Sequence, residues 1–281
     1  MKGSAGDWTY SRVASRTIAR QKVEAKGNPS RSYAQMRRRV QWANIINLYH
    51  AFSGKLHPSF EGKAQGVSDY NAFVSANFGL VPVYLTKDES KQGGCVVAGY
   101  QVTRGSLPSI DVAEGTGGVA VTDIALGDLA ITAETTLKQF SDAVVDNNPD
   151  YVQGDQISCF IAEQSVNSVS GVPYVKITAL EVTLDCTDDE TLLADIVDAL
   201  GFTSVGGKVG ASGTVNGAIT WVHSRKTAGG VKVSTQRFFV TNSTLAAYQT
   251  AAKRTEAILS YGGTVTQPFL TPNVDDVVAA A

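Results

Sequence analysis

Apolar residues recur at helical spacing along residues 33–52, with polar and basic residues between them. This spacing is typical of an amphipathic helix that packs one face on a core. The turn Asn28-Pro29-Ser30 precedes the stretch and supplies a helix-start signal, with Ser30 or Ser32 as N-cap. We therefore predict a helix here whose buried stripe is Met36, Val40, Trp42, Ile45, Ile46, Tyr49 and Phe52.

Residues 1–27 have no comparable stripe. Their larger apolar residues are too few to form a core, so we expect this segment to be ordered only by packing against something else. Strand addition to the edge of a neighbouring sheet is one such mode of packing. We predict an extended basic arm, with Trp8, Tyr10, Val13, Ile18 and Val23 as its apolar residues.

Strand and helix patterns alternate after residue 53. Ser68 is placed to cap a short helix, and Thr187 with Glu190 forms a capping-box pattern for a helix over 187–201. A long strand pair is predicted around Gly171, and a hairpin across Thr227-Ala228-Gly229-Gly230. Further strands are predicted over 80–86, 94–104 and 119–126, and further helices over 136–145 and from Ser243 onward.

Together these elements predict an α+β fold: an extended basic N-terminal arm and helices, then strand-rich, antiparallel parts with packed helices. The predicted parts are the arm over 1–30, a helical segment over 31–79 and a strand-rich part with one helix over 80–150. A second α+β part follows over 151–281 and ends in an extended C-terminal tail.

The charge is distributed unevenly along the chain. Residues 1–40 contain ten Lys or Arg and two acidic residues, whereas residues 41–281 contain 14 basic and 24 acidic residues. Such an asymmetry indicates a basic arm that meets an acidic partner, either another subunit or nucleic acid. Arg37, Arg38 and Arg39 lie near the start of the first predicted helix, where the helix dipole disfavours positive charge.

The arm and its helix supply the candidate contact residues. Arginines there can pair with acidic groups of neighbouring copies, which is the reading we favour, or they can contact phosphates while aromatic side chains stack on bases. No recognised nucleic-acid-binding motif accompanies them, and an ordinary solvated face is the third reading. The subunit-contact candidates are Trp8, Tyr10, Arg12, Arg16, Arg20, Arg37, Arg38 and Arg39.

Three other patterns suggest chemistry only weakly. The run Gly201–Lys208 resembles a phosphate loop, but its lysine is one position late and Val209 replaces the hydroxyl residue. Four acidic residues over 185–190 are explained by a helix start. His223 and Ser224 are neighbours on an alternating strand, so their side chains point to opposite faces. We therefore expect no catalytic residues, no cofactor and no metal.

The remaining composition favours a protein that is made in a reducing compartment. Cys95, Cys159 and Cys186 are widely spaced, which argues against a disulfide framework and for small buried side chains. The start MKGSAGDW has no apolar region typical of a secretory signal. The chain has no apolar run of the ~18 residues that a spanning helix needs, so we expect no membrane partner.

Several short stretches of the chain, taken in their order, carry a family resemblance. They are GSAGDWTYSRVASRTIARQKV, NPSRSYAQMRRRVQWANIINLY, FEGK and SDYNAFVSANF, followed later by GDQIS, HSRK, VSTQ and AILSYGG. In this order they resemble a protein family of Bacteroidetes and their phages, with genes like those in the structural modules of crAss-like phages. The resemblance covers most of the chain and implies a virion protein, and it brings no catalytic residues with it.

The functional hypothesis is a non-enzymatic virion structural protein. We expect a homo-oligomeric ring in the tail or neck, the head–tail connector region, whose partners are copies of itself and other virion proteins. An auxiliary or decoration capsid protein is the alternative within this class. A nucleic-acid-binding packaging protein is the alternative from another class, and an enzyme is the least favoured. The expected location is the virion, after synthesis in the bacterial host cytoplasm.

Overall fold

The computed structural model describes residues 3–5, 7–13, 16–21, 33–52, 54–55, 59–197, 200–241 and 243–262. Helices and antiparallel strands alternate along these residues, which confirms the α+β prediction. The elements are β1 (Gly3–Ala5), β2 (Trp8–Val13), β3 (Arg16–Gln21), α1 (Tyr33–Phe52), α2 (Asp69–Asn77), α3 (Lys87–Lys91), β4 (Gln101–Thr103), β5 (Val112–Glu114), β6 (Ala120–Ala125), α4 (Leu137–Asn147), β7 (Gln156–Val166), β8 (Pro173–Thr183), α5 (Leu193–Ile196), β9 (Thr203–Val205), β10 (Lys208–Gly210), β11 (Gly217–Thr227), β12 (Gly230–Val233), β13 (Gln236–Arg237), β14 (Phe239–Val240), α6 (Thr244–Ala247) and α7 (Ala251–Ser260).

A central antiparallel sheet of order β12-β11-β7-β8 organises the fold, and β14 adds to β11. β7, β8 and β11 each run for 11 residues. Because successive side chains point to opposite faces, each strand contributes side chains to two hydrophobic cores, one on each face of the sheet. Phe160 and Val222 face the core beside α1, whereas Cys159 and Trp221 face the core beside α4. The predicted division near residue 150 stays a prediction. The three long strands beyond that position contribute side chains to both cores.

The first core lies under α1 and α2. Phe52 stacks on Phe238 with ring centroids 5.7 Å apart and meets Phe160 edge-on at 6.1 Å. α1 has the predicted bounds, but Trp42 of the predicted stripe is 40% exposed. The predicted cap of α2 is confirmed, because the Ser68 side chain accepts a hydrogen bond from the Asn71 backbone.

The second core lies between the central sheet and the sheet β5-β6-β10-β9. α4 begins with a capping box in which Thr136 and Gln139 satisfy each other's backbone N–H groups. Trp221 is fully buried, and its ring N–H donates to the Gly201 carbonyl over 2.8 Å. α4 confirms the helix predicted over 136–145, and β6 confirms the strand predicted over 119–126.

The predicted strands over 80–86 and 94–104 are wrong except at β4. Residues 95–98 and Tyr100 are buried but belong to no strand, and side-chain amides bind part of their backbone. Asn44 accepts from the Val96 N–H over 2.7 Å and donates to its carbonyl over 2.9 Å. Gln164 accepts from the Val97 N–H over 2.9 Å. These amides satisfy groups that a ladder would otherwise satisfy.

Two predicted helices are also wrong. Asp188 accepts hydrogen bonds from the Glu190 and Thr191 backbones, so this acidic stretch forms turns, and only α5 is helical. Local side-chain bonds of this kind compete with helix formation. Residues 198–199 of the predicted helix lie outside the described residues. The last helix is two helices, because Thr250 caps α7 by accepting from the Lys253 N–H over 3.1 Å.

Replacement of Asn44 tests the role of the buried amides. Asn44→Ala removes the partner that the backbone N–H and carbonyl of buried Val96 have among the described residues, so we expect the free energy of unfolding to fall by about 3 kcal/mol. Chemical denaturation followed by circular dichroism measures the loss. Asn71→Ala on the exposed face of α2 is the matched control. Equal stability of the two variants would contradict this role.

Candidate subunit-contact surface

The N-terminal arm forms a sheet of its own. β1, β2 and β3 pair antiparallel in that order, with Thr9 opposite Arg20 and Tyr10 opposite Ala19. Within the part of the chain that the structure describes, no strand of this sheet pairs with another sheet. All six side chains of β3 are exposed. A small sheet with solvent on both faces is marginal alone, so this arm still has surface to cover.

The register divides the arm candidates between the two faces of this sheet. Trp8, Tyr10 and Arg12 alternate along β2 and share one face. Arg16 pairs with Val13 across the strands and Arg20 pairs with Thr9. Because directly paired residues share a face, both arginines lie on the face away from Trp8, Tyr10 and Arg12. The structure consequently does not join the candidates into one patch, and both faces of the arm carry cations.

The arginines of α1 border a separate groove, which we call the α1 groove. Arg38 and Arg39 are exposed there beside Trp42, which packs on Phe78 with ring centroids 5.4 Å apart. The groove has a volume of about 610 Å³ and no acidic residue in its lining. Its lining residues are Arg38, Arg39, Trp42, Ala43, Ile46, Lys87, Ser90 and Tyr261.

This groove combines three cations with an apolar strip. Arg38, Trp42 and Ile46 follow each other at intervals of four residues, so they line one side of α1. Lys87 from α3 and Tyr261 after α7 close the other side. Arg37 is half-buried and lies outside the lining. Such a surface suits an acidic segment that also carries apolar side chains.

The weak chemical patterns resolve into ordinary structure. Residues 203–210 form a hairpin whose turn residues Gly206 and Gly207 have φ of 58° and 73°. That is a tight β-turn between strands and not a phosphate loop before a helix. Among the residues described, no group of three or more His, Cys, Asp or Glu is arranged to hold a metal ion.

A charged cluster that the sequence did not predict lies at the end of β11. Asp155 is fully buried and accepts from Arg225 through both oxygens, each bond being 2.7 Å long. The ring nitrogen Nε2 of His223 lies 2.8 Å from Asp155 Oδ2. Tyr151 stacks on the His223 ring with centroids 4.3 Å apart. The cluster fastens the turn before β7 to β11.

The environment of the cluster shifts both pKa values downward. Burial would raise the pKa of Asp155, but hydrogen bonds from Arg225, Val152 and His223 outweigh it and lower that pKa. Desolvation lowers the pKa of His223, and its bond to Asp155 offsets only part of this effect. The Nδ1 atom of His223 has no partner among the described residues. A neutral ring that donates from Nε2 leaves only this acceptor unpaired.

The position of Ser224 agrees with the prediction that it points away from His223. His223 is buried on the side of Asp155, whereas Ser224 lines a cleft on the opposite face of β11. No hydroxyl or thiol of the described residues bonds to the free nitrogen of His223. The sequence carried no signal for the Asp155 contact, because it arises only from the pairing of β7 with β11, where Ile157 lies opposite His223.

Comparison of the chain with protein-family models, curated proteins and solved structures finds no match. The resemblance to a phage protein family therefore stays a prediction. None of the described helices is both long enough and apolar enough to cross a membrane.

The His223 cluster predicts a pH-dependent stability. Because the folded pKa of His223 lies below its ordinary value of about 6.5, its stabilising contribution is complete above that pH and is lost as the pH falls. Asp155, also lowered, adds a loss only at more acidic pH. We expect the free energy of unfolding to decrease from pH 7 to pH 5, with a slope of up to about 1.4 kcal/mol per pH unit.

His223→Gln keeps an N–H donor for Asp155 but does not titrate, so it should flatten this slope. The exposed His50, changed in His50→Gln, is the matched control. Denaturant unfolding at a series of pH values measures the slope. An unchanged slope in His223→Gln would contradict the assignment.

Proposed function

We propose that this protein is a non-enzymatic phage virion structural protein that assembles into a homo-oligomeric ring in the tail or neck. The observation that carries the proposal is the N-terminal arm. It is a three-stranded sheet whose last strand is exposed on both faces and unpaired at its outer edge among the described residues. An adjacent copy can cover the faces and extend the sheet by strand addition.

The α1 groove supports a second contact in the same assembly. Its three cations face solvent beside the apolar surface of Trp42 and Ile46. Residues 41–281, with 24 acidic against 14 basic residues, supply complementary charge on other copies. Two different surfaces that meet head to tail form a heterologous interface, and such interfaces close into rings when the rotation permits.

Two features favour subunit contact over nucleic acid as the partner of the arm. Arg12 lies on one face of the arm sheet, whereas Arg16 and Arg20 lie on the other, so a single strand or duplex would meet only part of this charge. The α1 groove also has an apolar strip, and phosphate contacts need none. An auxiliary capsid protein remains the alternative within structural proteins, and copy number in purified particles separates the two.

Charge reversal in the α1 groove tests the proposal. The double variant Arg38→Glu, Arg39→Glu places like charges against the acidic partner, so we expect loss of the oligomer with the fold retained. Native mass spectrometry and electron microscopy of the purified protein measure assembly and symmetry. Lys176→Glu, Arg237→Glu is the matched control, since both residues are exposed and lie outside the groove.

The outcomes separate the function classes. A wild-type protein that stays monomeric at all concentrations, and that is missing from purified particles, would refute the ring. If the arginine variant instead assembles normally but loses salt-sensitive DNA binding, the packaging function is supported in its place.

A further inference from the structure

A cleft of about 230 Å³ lies on the face of the central sheet that packs against α1, beyond the apolar end of that face. Its floor is a grid of polar residues fixed by strand register. Ser158 lies opposite Glu181 on β8, and Gln156 lies between Thr183 and Ser224. These strands are among the longest in the fold, and their pairing sets the spacing of the floor residues.

The wall of the cleft holds an unsatisfied polar group. Ser59 lines the cleft and is 1% exposed, yet its hydroxyl has no hydrogen-bond partner in the described part of the chain. A buried hydroxyl of this kind is unfavourable unless something bonds to it. Thr103, also buried in the lining, already donates to the Ser234 carbonyl over 2.7 Å. The Ser59 hydroxyl is therefore the buried group of the lining that is available to form a hydrogen bond with a ligand.

The charges of the lining favour an anion. Lys55 and Lys226 supply two ammonium groups, and Glu181 supplies the one carboxylate. Glu181 already accepts from the Gln156 amide over 2.9 Å, and the Lys55 ammonium donates to the Ile177 carbonyl. Lys226 is exposed and forms no ion pair with a described residue. It is the cation that remains available to an acidic group.

We propose that this cleft binds a hydroxylated organic anion of monosaccharide size, either a uronic acid or a sugar phosphate. The volume equals that of about eight water molecules, which is the size of one sugar ring. Serine and threonine hydroxyls with an amide match sugar hydroxyls, while Val222 and Val233 add apolar contact surface to the lining. Lys226 binds the acidic group, and Ser59 bonds to a ring hydroxyl. This site is independent of the proposed assembly.

Binding is measured by titration calorimetry on the full chain with four probes: glucuronate, glucose 6-phosphate, uncharged glucose and inorganic phosphate. We expect saturable binding of at least one sugar anion, at least about tenfold tighter than glucose, because an ammonium–oxyanion bond is lost with glucose. The stronger of the two sugar anions identifies the acidic group. Failure of both to bind would overturn the proposal, as would inorganic phosphate binding as tightly as they do.

Two variants locate the site. Lys226→Gln should weaken binding about tenfold or more, whereas Lys232→Gln, which removes an exposed cation from the neighbouring strand outside the cleft, should not. Ser59→Ala should also weaken binding but leave the melting temperature of the free protein unchanged or higher, because its hydroxyl bonds to none of the described residues there. Unaltered affinity in both cleft variants would overturn the proposal, and neither result depends on ring assembly.

Discussion

Burial of the central sheet on both faces is the constraint on which the rest of the structure depends. Each of its three long strands must present apolar side chains in both directions, and each polar group that enters must find a partner. Trp221 meets this condition through the Gly201 carbonyl and His223 through Asp155. At the solvent end of the α1 face the side chains need not be apolar, and there the same strands present the polar floor of the cleft.

The buried amides extend the same constraint to the layer above the sheet. Residues 95–101 run between α1 and the sheet without a full partner strand, and three amide side chains take the place of a ladder. Asn44 bonds to Val96, Gln164 to Val97, and Asn77 to both backbone groups of Gln101. Because the Asn44 bonds are directional and Asn44 belongs to α1, they hold this helix, which also lines the α1 groove, against Val96.

The surfaces proposed for assembly follow from what this core leaves uncovered. The arm sheet has too few apolar residues to bury a face of its own, and α1 turns Trp42, Arg38 and Arg39 outward because its buried side is taken by residues such as Leu48 and Asn44. Positive charge therefore lies on the arm and on the outward side of α1, away from the side of that helix that enters the core. This separation lets a contact surface carry exposed cations without destabilising the fold.

The sequence by itself determined the elements whose signals are local. The spacing of apolar residues set the bounds of α1, Ser68 and Thr136 marked helix starts, and glycine-containing turns marked the hairpins at 166–173 and 227–230. It also marked the arginines of α1 as candidate contact residues. The tertiary structure alone decided the pairing of β7 with β11, the Asp155–His223 contact and the addition of Lys87 and Tyr261 to the α1 groove. These contacts join residues far apart in the chain, and no local periodicity encodes which distant backbone or charge a side chain will meet.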